Sequence, residues 1–342
     1  MGLDRPYRAV TIDDVAERAG VSAKTVSRVL NNEPNVRPAK REIVLQASRE
    51  LGYKPNPAAR SLAGARSFLI AHLHDNAVPE YVAAANDGIY AACRALGYFL
   101  LPERVEPTAE DRLERLETFL ATARPDAVVL TPPLCDDDAT IEVLKRAGLK
   151  YASVSARMGP AEASVFRHDE RQAARDMVNH LISLGHTEIA MIAGPSGHKA
   201  ASARIDGYFD AMKAAGIPAK DAWMVLGDYT MRSGLEAAQQ LFEKPDRPTA
   251  IFAANDDMAV GALTAALATG LRIPEDISIA GYDDTRLASA VWPPLTTIRQ
   301  PVREMAKRAA ESLMGPNKHA EPEDHVLAFE LVIRTSTGPP PS

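Results

Sequence analysis

The sequence predicts an all-α helix-turn-helix head followed by an α/β body of two lobes, each built on a parallel, Rossmann-like sheet. Two patterns and one asymmetry point there. Residues 1–66 read as short capped helices, whereas from Ser67 onward strand, turn and helix alternate. Residues 1–66 also hold 12 Lys and Arg against 7 Asp and Glu, a net of +5, while the remainder carries 27 against 38, a net of −11. The overall charge of −6 over 342 residues therefore conceals a basic head suited to a polyanion and an acidic body suited to a different task.

In the head, Thr11 and Asp14 make a capping box, with Ile12, Val15, Ala16 and Ala19 on one apolar face and Gly20 at the helix end. Ser22 can cap a second helix in which Val26, Val29 and Leu30 turn inward. Pro38 opens a third, running to Leu51-Gly52 with Ile43, Val44, Ala47 and Leu51 as its buried stripe. Asn56, Pro57 and Gly64 bracket a further turn or two of helix, too short to hold alone in water; it reads as a conditional helix or as a linker.

In the body, apolar runs at Phe68–Leu73, Tyr98–Leu101, Ala127–Leu130, Tyr151–Val154, Ile189–Ala193, Trp223–Leu226, Ala250–Ala253 and Ile277–Ala280 predict strands. Helical patterns over Val82–Ala95, Ala109–Ala123, Arg171–Leu184, Ser202–Ala215, Ser233–Phe242 and Met258–Thr269 lie between most of them. Such alternation implies parallel sheets flanked by helices. The strands exceed one comfortable sheet, giving two lobes with a break near Val165–Asp169. Asp136-Asp137-Asp138 reads as a solvated loop, Trp223 and Trp292 as core residues, and Pro339-Pro340-Pro341-Ser342 as a disordered or extended tail.

Cys93 and Cys135 are the only cysteines, so a disulfide framework is excluded, both read as buried free thiols, and a reducing cytoplasm is the expected compartment. Met1–Pro6 lacks the apolar run of a signal peptide. The longest tempting uncharged stretch, Met258–Leu271, is too short to span a membrane.

Thr11–Asn31 carries the most specific local signal: a helix, a turn at Gly20 and a second helix. Ser22, Ala23, Lys24, Thr25 and Arg28 lie over the N-terminal turns of that second helix, where a recognition helix meets base edges of duplex DNA. Lys24 and Arg28 are four apart, share a face and can both donate to guanine. Ser22, Thr25, Ser27 and Asn31 have short arms suited to phosphate oxygens, and Thr11 joins the DNA-facing set. A surface hairpin of a small bundle would need no such basic, polar face.

Two α/β lobes leave a cleft at the carboxyl ends of their strands, the usual place for a ligand. Asp75, Arg157, Asn255 and Asp283 lie at or just after strand ends, and Arg204 starts a helix two turns after Ile189–Ala193. Carboxylates, an amide and guanidinium forks are what paired hydroxyls require. Asn255 and Asp283 equally suit helix caps, and Arg204 an ion pair. An enzyme is not expected, nor a cofactor. No Gly-x-Gly-x-x-Gly follows the first strand, and the sequence has neither a Gly-Lys-Ser/Thr loop nor a Gly-x-Ser-x-Gly elbow. His72, His74 and Asp75 could suggest a metal, but alternation on a buried strand explains the spacing equally well, and no metal is assigned.

The block Thr11–Asn31 resembles the head of the lactose/galactose-repressor (LacI/GalR) family of bacterial transcription regulators. So do Leu184-Gly185-His186, Gly194-Pro195, Ser202–Tyr208, Asn255–Ala259, Gly281–Asp284, Pro294–Ile298 and Glu330–Thr337, which together span nearly the whole chain. The resemblance implies a periplasmic-binding-protein-like body and a homodimer on a pseudo-palindromic double-stranded operator. It also implies repression controlled by a small-molecule effector, more commonly a sugar than a nucleobase. It assigns 1–55 to the DNA-binding domain, 56–66 to a hinge helix and 67–337 to the effector-binding and dimerisation domain, with 338–342 as tail. Within the body it gives an N-lobe of about 67–166 with 299–326 and a C-lobe of about 167–298 with 327–337. Leu62, with Ala63 beside it, would wedge into the minor groove at the operator centre; otherwise Leu62 is an ordinary linker leucine. Arg204, Asn255 and Asp283 match effector-contacting positions, Tyr229 an aromatic that covers a sugar face, and Tyr81 an aromatic of the first loop. That loop, Asn76–Tyr81, and Arg167-His168-Asp169 between the lobes depart from the family's commoner sequences. A solute-binding protein of transport would instead carry an export signal and no DNA head. A sugar-metabolising enzyme with a DNA head would need an acid/base pair in the cleft.

Overall fold

In the computed structural model, Thr11 closes the first helix of the head as its spacing to Asp14 dictates. Its hydroxyl accepts from the Asp14 amide at 3.3 Å, and the Asp14 carboxylate accepts from the Thr11 amide at 2.7 Å. The structure describes residues 10–30, 36–53, 66–75, 78–106, 108–155, 163–315 and 321–341. It divides into two units, Met1–Phe68 and Leu69–Ser342.

The head contains α1 (Ile12–Ala19), α2 (Ala23–Leu30) and α3 (Pro38–Glu50). Gly20 takes the left-handed conformation, φ 63°, that ends α1 and turns the chain into α2. Val15, Val26 and Val44 are fully buried between the three helices, each contributing roughly 1.5–3 kcal/mol by leaving water. Ile43 corrects the expected stripe of α3: it is 49% exposed, and Ser48 takes the inward position beside Val44 and Ala47. At 100° per residue the inward face passes through 44, 47 and 48, leaving 43 outside. The hinge helix expected over 56–66, with Leu62 and Ala63, lies outside the described residues except for Arg66, as do Asn31 and Arg157.

The body opens with β1 (Leu69–His74), α4 (Pro79–Leu96), β2 (Phe99–Arg104), α5 (Arg112–Ala123), β3 (Ala127–Leu130), α6 (Asp138–Arg146), β4 (Lys150–Val154) and β5 (Ser164–Arg167). It continues with α7 (Glu170–Ser183), β6 (Ile189–Ala193), α8 (Lys199–Ala214), β7 (Met224–Leu226), α9 (Met231–Phe242), β8 (Ala250–Ala253), α10 (Asp256–Ala268) and β9 (Ser278–Ala280). It ends with α11 (Arg286–Ala290), β10 (Thr297–Arg299), α12 (Val302–Met314), β11 (Asp324–Val326) and β12 (Glu330–Val332).

The N-lobe sheet is parallel with strand order β11-β5-β4-β3-β1-β2, and the C-lobe sheet is parallel with order β7-β6-β8-β9. In each, the strand that comes first in the chain has later strands on both sides, so strand order reverses at β1/β3 and at β6/β8. Those reversals open the crevice in which α/β sheets hold ligands. The antiparallel pair β10–β12 lies where the chain passes between lobes. Three passages, before α7, after β10 and after β11, tie the lobes together.

Several expectations need correction. The run expected over Tyr98–Leu101 extends as β2 to Arg104 through Pro102, which an edge strand tolerates because no neighbour needs that missing N–H. The interval near Val165–Asp169, read as the break between lobes, begins with the last residues of an unexpected strand, β5 (Ser164–Arg167), after which the chain crosses to α7. Asp136–Asp138 is not a solvated loop. Asp137 caps α6 through the Thr140 amide at 3.1 Å and takes Arg112 at 2.7 Å, and Asp136 faces Lys199 at 3.4 Å. Trp223 is buried, but Trp292 is 82% exposed, just past the end of α11 and joined to Pro293 by a cis bond. The tail is extended yet anchored. The Gly338 amide donates to Ser278 at 3.0 Å, its carbonyl bonds His186 at 2.8 Å, and Pro340 lies against Gly185. His72 and His74 are both buried, His72 bonding Asn86 at 2.7 Å and Thr131 at 3.1 Å. This is the core role that strand alternation suggested.

Candidate functional site

The two sheets meet at a cavity of about 60 Å³, room for a handful of waters, so the lobes stand close together. Asp75, Tyr81, Arg204, Tyr229, Asn255 and Asp283 all line it. The structure thus brings together every cleft residue predicted from strand ends or resemblance that lies among the described residues. Tyr81 differs in setting: it belongs to the first turn of α4, not to a loop. Its hydroxyl donates to Ser155 at 2.9 Å, joining α4 to the end of β4. Burial raises the Tyr81 phenol far above its ordinary value.

Arg204 is 5% exposed. Its Nε donates to Glu170 at 2.8 Å, its Nη1 to the Ala254 carbonyl, and its guanidinium lies 3.7 Å over the Tyr282 ring. Burial alone would raise the Glu170 carboxyl, but Arg204 and His168 overcome it and hold the group well below the usual carboxylate range. Asn255 shows that capping and lining coexist. Its Oδ1 accepts from the Met258 amide at 3.0 Å at the start of α10, and its Nδ2 donates to the Tyr229 carbonyl at 2.9 Å.

Tyr229 sits at φ 71° with its ring on Gly194 and edge-on to His198 at 5.6 Å between centroids. Burial lifts its phenol to about 12. Asp283 is held at φ 119°, a costly backbone conformation for a side-chain-bearing residue. The Gln300 amide donates to its Oδ1 at 2.5 Å. Burial, with Asp256 nearby, pushes the Asp283 carboxyl well up, and burial pushes Asp256 up to about 7. Burial also lowers His198. The cavity therefore offers oxygen acceptors, a carboxyl whose ionisation burial disfavours, and aromatic faces.

Glu170, His198, Gln300 and Ser155 also line the cavity and were not predicted. Ser155 directly follows β4, where the rule applied to strand ends selected Arg157 two residues on. Glu170 follows β5, the strand read as a boundary.

In the head, Lys24 and Arg28 are exposed on α2, and Ser22 is exposed at its start. Ser22 and Thr25 bond through their hydroxyls at 3.0 Å. Ala23, Thr25 and Ser27 are half-buried. Thr11 is exposed, with its hydroxyl engaged by Asp14.

A basic helix-turn-helix head with a two-lobed α/β body defines a DNA-binding transcriptional regulator. Residues 11–56 match the model described as bacterial regulatory proteins of the lacI family, and residues 178–337 match a periplasmic binding protein-like domain. The chain is 36% identical to the HTH-type transcriptional regulator CelR of Thermobifida fusca, over 96% of this chain and 98% of the relative. Among solved structures, the CelR–cellobiose complex is 32% identical with a TM-score of 0.73, over 96% of this chain and 99% of the other. The lac repressor dimer bound to operator and the anti-inducer ONPF is 31% identical with a TM-score of 0.77, over 97% and 100%. The chain belongs to the LacI family. Its relatives are transcriptional regulators rather than enzymes.

Proposed function

We propose that this protein is a cytoplasmic transcriptional repressor that binds a pseudo-palindromic operator as a homodimer and is controlled by a sugar held between its lobes. The carrying observation is the cavity at the two sheet reversals, where Arg204, Asp283 and Tyr229 converge. Hydroxyl-bonding groups beside an aromatic face suit a sugar ring. The solved CelR complex with cellobiose supports the same class. One head reads half an operator. Two heads on a twofold read half-sites about one helical turn apart, with Lys24 and Arg28 at base edges and Ser22, Thr25 and Ser27 at phosphates.

Ligand binding changes the closure of lobes linked by three passages. A coupling of about 1–3 kcal/mol is enough to alter DNA affinity by 5–150-fold. The test is selection of duplexes from a random pool by the full chain, followed by affinity measurement with and without a panel of sugars and nucleobases. A selected pseudo-palindrome whose affinity changes with one sugar is the expected result. No preference over random competitor would refute the regulator reading. A response to a nucleobase alone would refute the sugar.

A further inference from the structure

Glu170 opens α7 directly after the chain first crosses between lobes, and its side chain lines the cavity while 8% exposed. Its two oxygens do different work. Oε2 accepts from Arg204 Nε at 2.8 Å and from the Tyr282 hydroxyl at 2.7 Å, with His168 Nε2 at 3.4 Å. Oε1 is sealed from solvent and takes no hydrogen bond among the described residues, and the same holds for Gln300 Oε1 on the cavity wall. A buried acceptor left unmet is costly, so a small side-chain adjustment that brings either oxygen to a ligand donor is favoured.

Arginine recognises a phosphate or carboxylate by turning two parallel N–H groups toward it. Here Nε faces Glu170, Nη1 faces the Ala254 carbonyl, and the guanidinium plane is stacked on Tyr282. Arg204 is the one arginine on the cavity wall among the described residues, no lysine joins it, and Asp75 adds a further carboxylate. An anionic ligand would meet acceptors and an arginine whose charge Glu170 already compensates and whose Nε and Nη1 are already engaged.

We infer that Glu170 sets the charge class of the effector: it pairs with Arg204 through Oε2, puts a compensating carboxylate on the cavity wall, and so admits an uncharged polyhydroxylated molecule while rejecting its phosphorylated or carboxylated counterpart. This rests on the sugar reading above and narrows it. Glu170→Gln keeps the length of the side chain and an oxygen for Arg204 and Tyr282, but replaces the buried Oε1 by an amide nitrogen and removes the negative charge. It leaves the Arg204 charge uncompensated.

The experiment measures calorimetric binding and thermal shift of the full chain with inorganic phosphate, and with glucose, ribose and cellobiose beside glucose 6-phosphate, ribose 5-phosphate and gluconate. The wild-type protein should ignore phosphate and the three anionic sugars at millimolar concentration. Glu170→Gln should bind phosphate at least about tenfold more tightly than wild type, equivalent to ~1.4 kcal/mol. Should that variant fail to fold, Glu170→Asp, which draws the carboxylate back from the guanidinium, should show a gain in the same direction. Wild-type binding of phosphate or an anionic sugar, or a folded variant with no gain, overturns the assignment. An anionic sugar that binds wild type and changes DNA affinity would remove the role of Glu170 and leave the regulator standing. Loss of all DNA preference would remove the regulator whatever phosphate does.

Discussion

Gly194 directly follows the second lobe's first strand and lies under the ring of Tyr229. A Cβ added there would sit 2.5 Å from Cζ and the hydroxyl oxygen and 2.7 Å from Cε1, against an ordinary carbon separation of about 3.5 Å or more. Gly194→Ala must therefore push the ring out by about 1 Å, within reach of a side chain rotating about its own bonds. The cost falls near the low end of overpacking, ~1 kcal/mol, which for the body is a fall in Tm of roughly 2–4 °C. The ring moves into a cavity of only about 60 Å³, so affinity for the responding sugar should drop about tenfold while affinity for operator in its absence stays unchanged. Calorimetry, thermal melting and gel shift on the same preparation separate these readings. Gly88→Ala is the control for scale. Its Cβ would lie 2.1 Å from the Arg303 carbonyl oxygen and 2.9 Å from the Lys307 amide; backbone cannot swing aside, so α4 and α12 must part, at ~3 kcal/mol or more. Wild-type sugar affinity in a Gly194→Ala protein with a lowered Tm would show that Tyr229 does not form the binding wall.

Lys24→Ala and Arg28→Ala should each weaken binding to the selected operator by about 1–3 kcal/mol and relax preference at one base pair, measured by competition with single-base variants. Unchanged affinity in both would place the reading surface elsewhere. Thr11→Ala removes the capping box and should lower head stability by about 1 kcal/mol in urea melts; an unaltered midpoint contradicts the cap. Burial lowers His72 to about 4. Its unfolded counterpart titrates near 6.5, so its contribution is intact above that pH. It is lost as pH falls through the folded value, by about 3 kcal/mol in all. Denaturant melts at pH 7 and pH 4.5 should show this slope in wild type and a shallower one in His72→Gln; equal slopes would exclude His72 as the source.

The head was legible because its determinants are local. Thr11 and Asp14 are three residues apart, and Gly20 needs only its own backbone. Its one error, Ile43, was a rotation of a single residue around a helix. Strand cores such as Ala127–Leu130 and Ile189–Ala193 matched to the residue, since strands buried on both faces read as unbroken apolar runs. β10, β11 and β12 have three residues each, too few for a period, and exist through pairing with residues far away in the chain. Gln300 follows β10 and was missed with it. Glu170 escaped because its neighbourhood read as the boundary between lobes; its partner Arg204 was found, yet no local pattern says that the two face each other. Trp292 shows that an apolar residue in a Pro-rich turn can remain outside any core.

Both lobes borrow from the last part of the chain. The N-lobe takes α12 and the edge strand β11, and the C-lobe is fastened by Gly338 to His186 and Ser278. The N-lobe sheet therefore lacks an edge strand until Asp324–Val326 has been made, and the C-lobe sheet, whose own strands end at Ala280, lacks its fastening until Gly338 has been made, whereas the head needs only its first fifty-odd residues. A nascent or prematurely terminated chain would accordingly own a reader without a sensor.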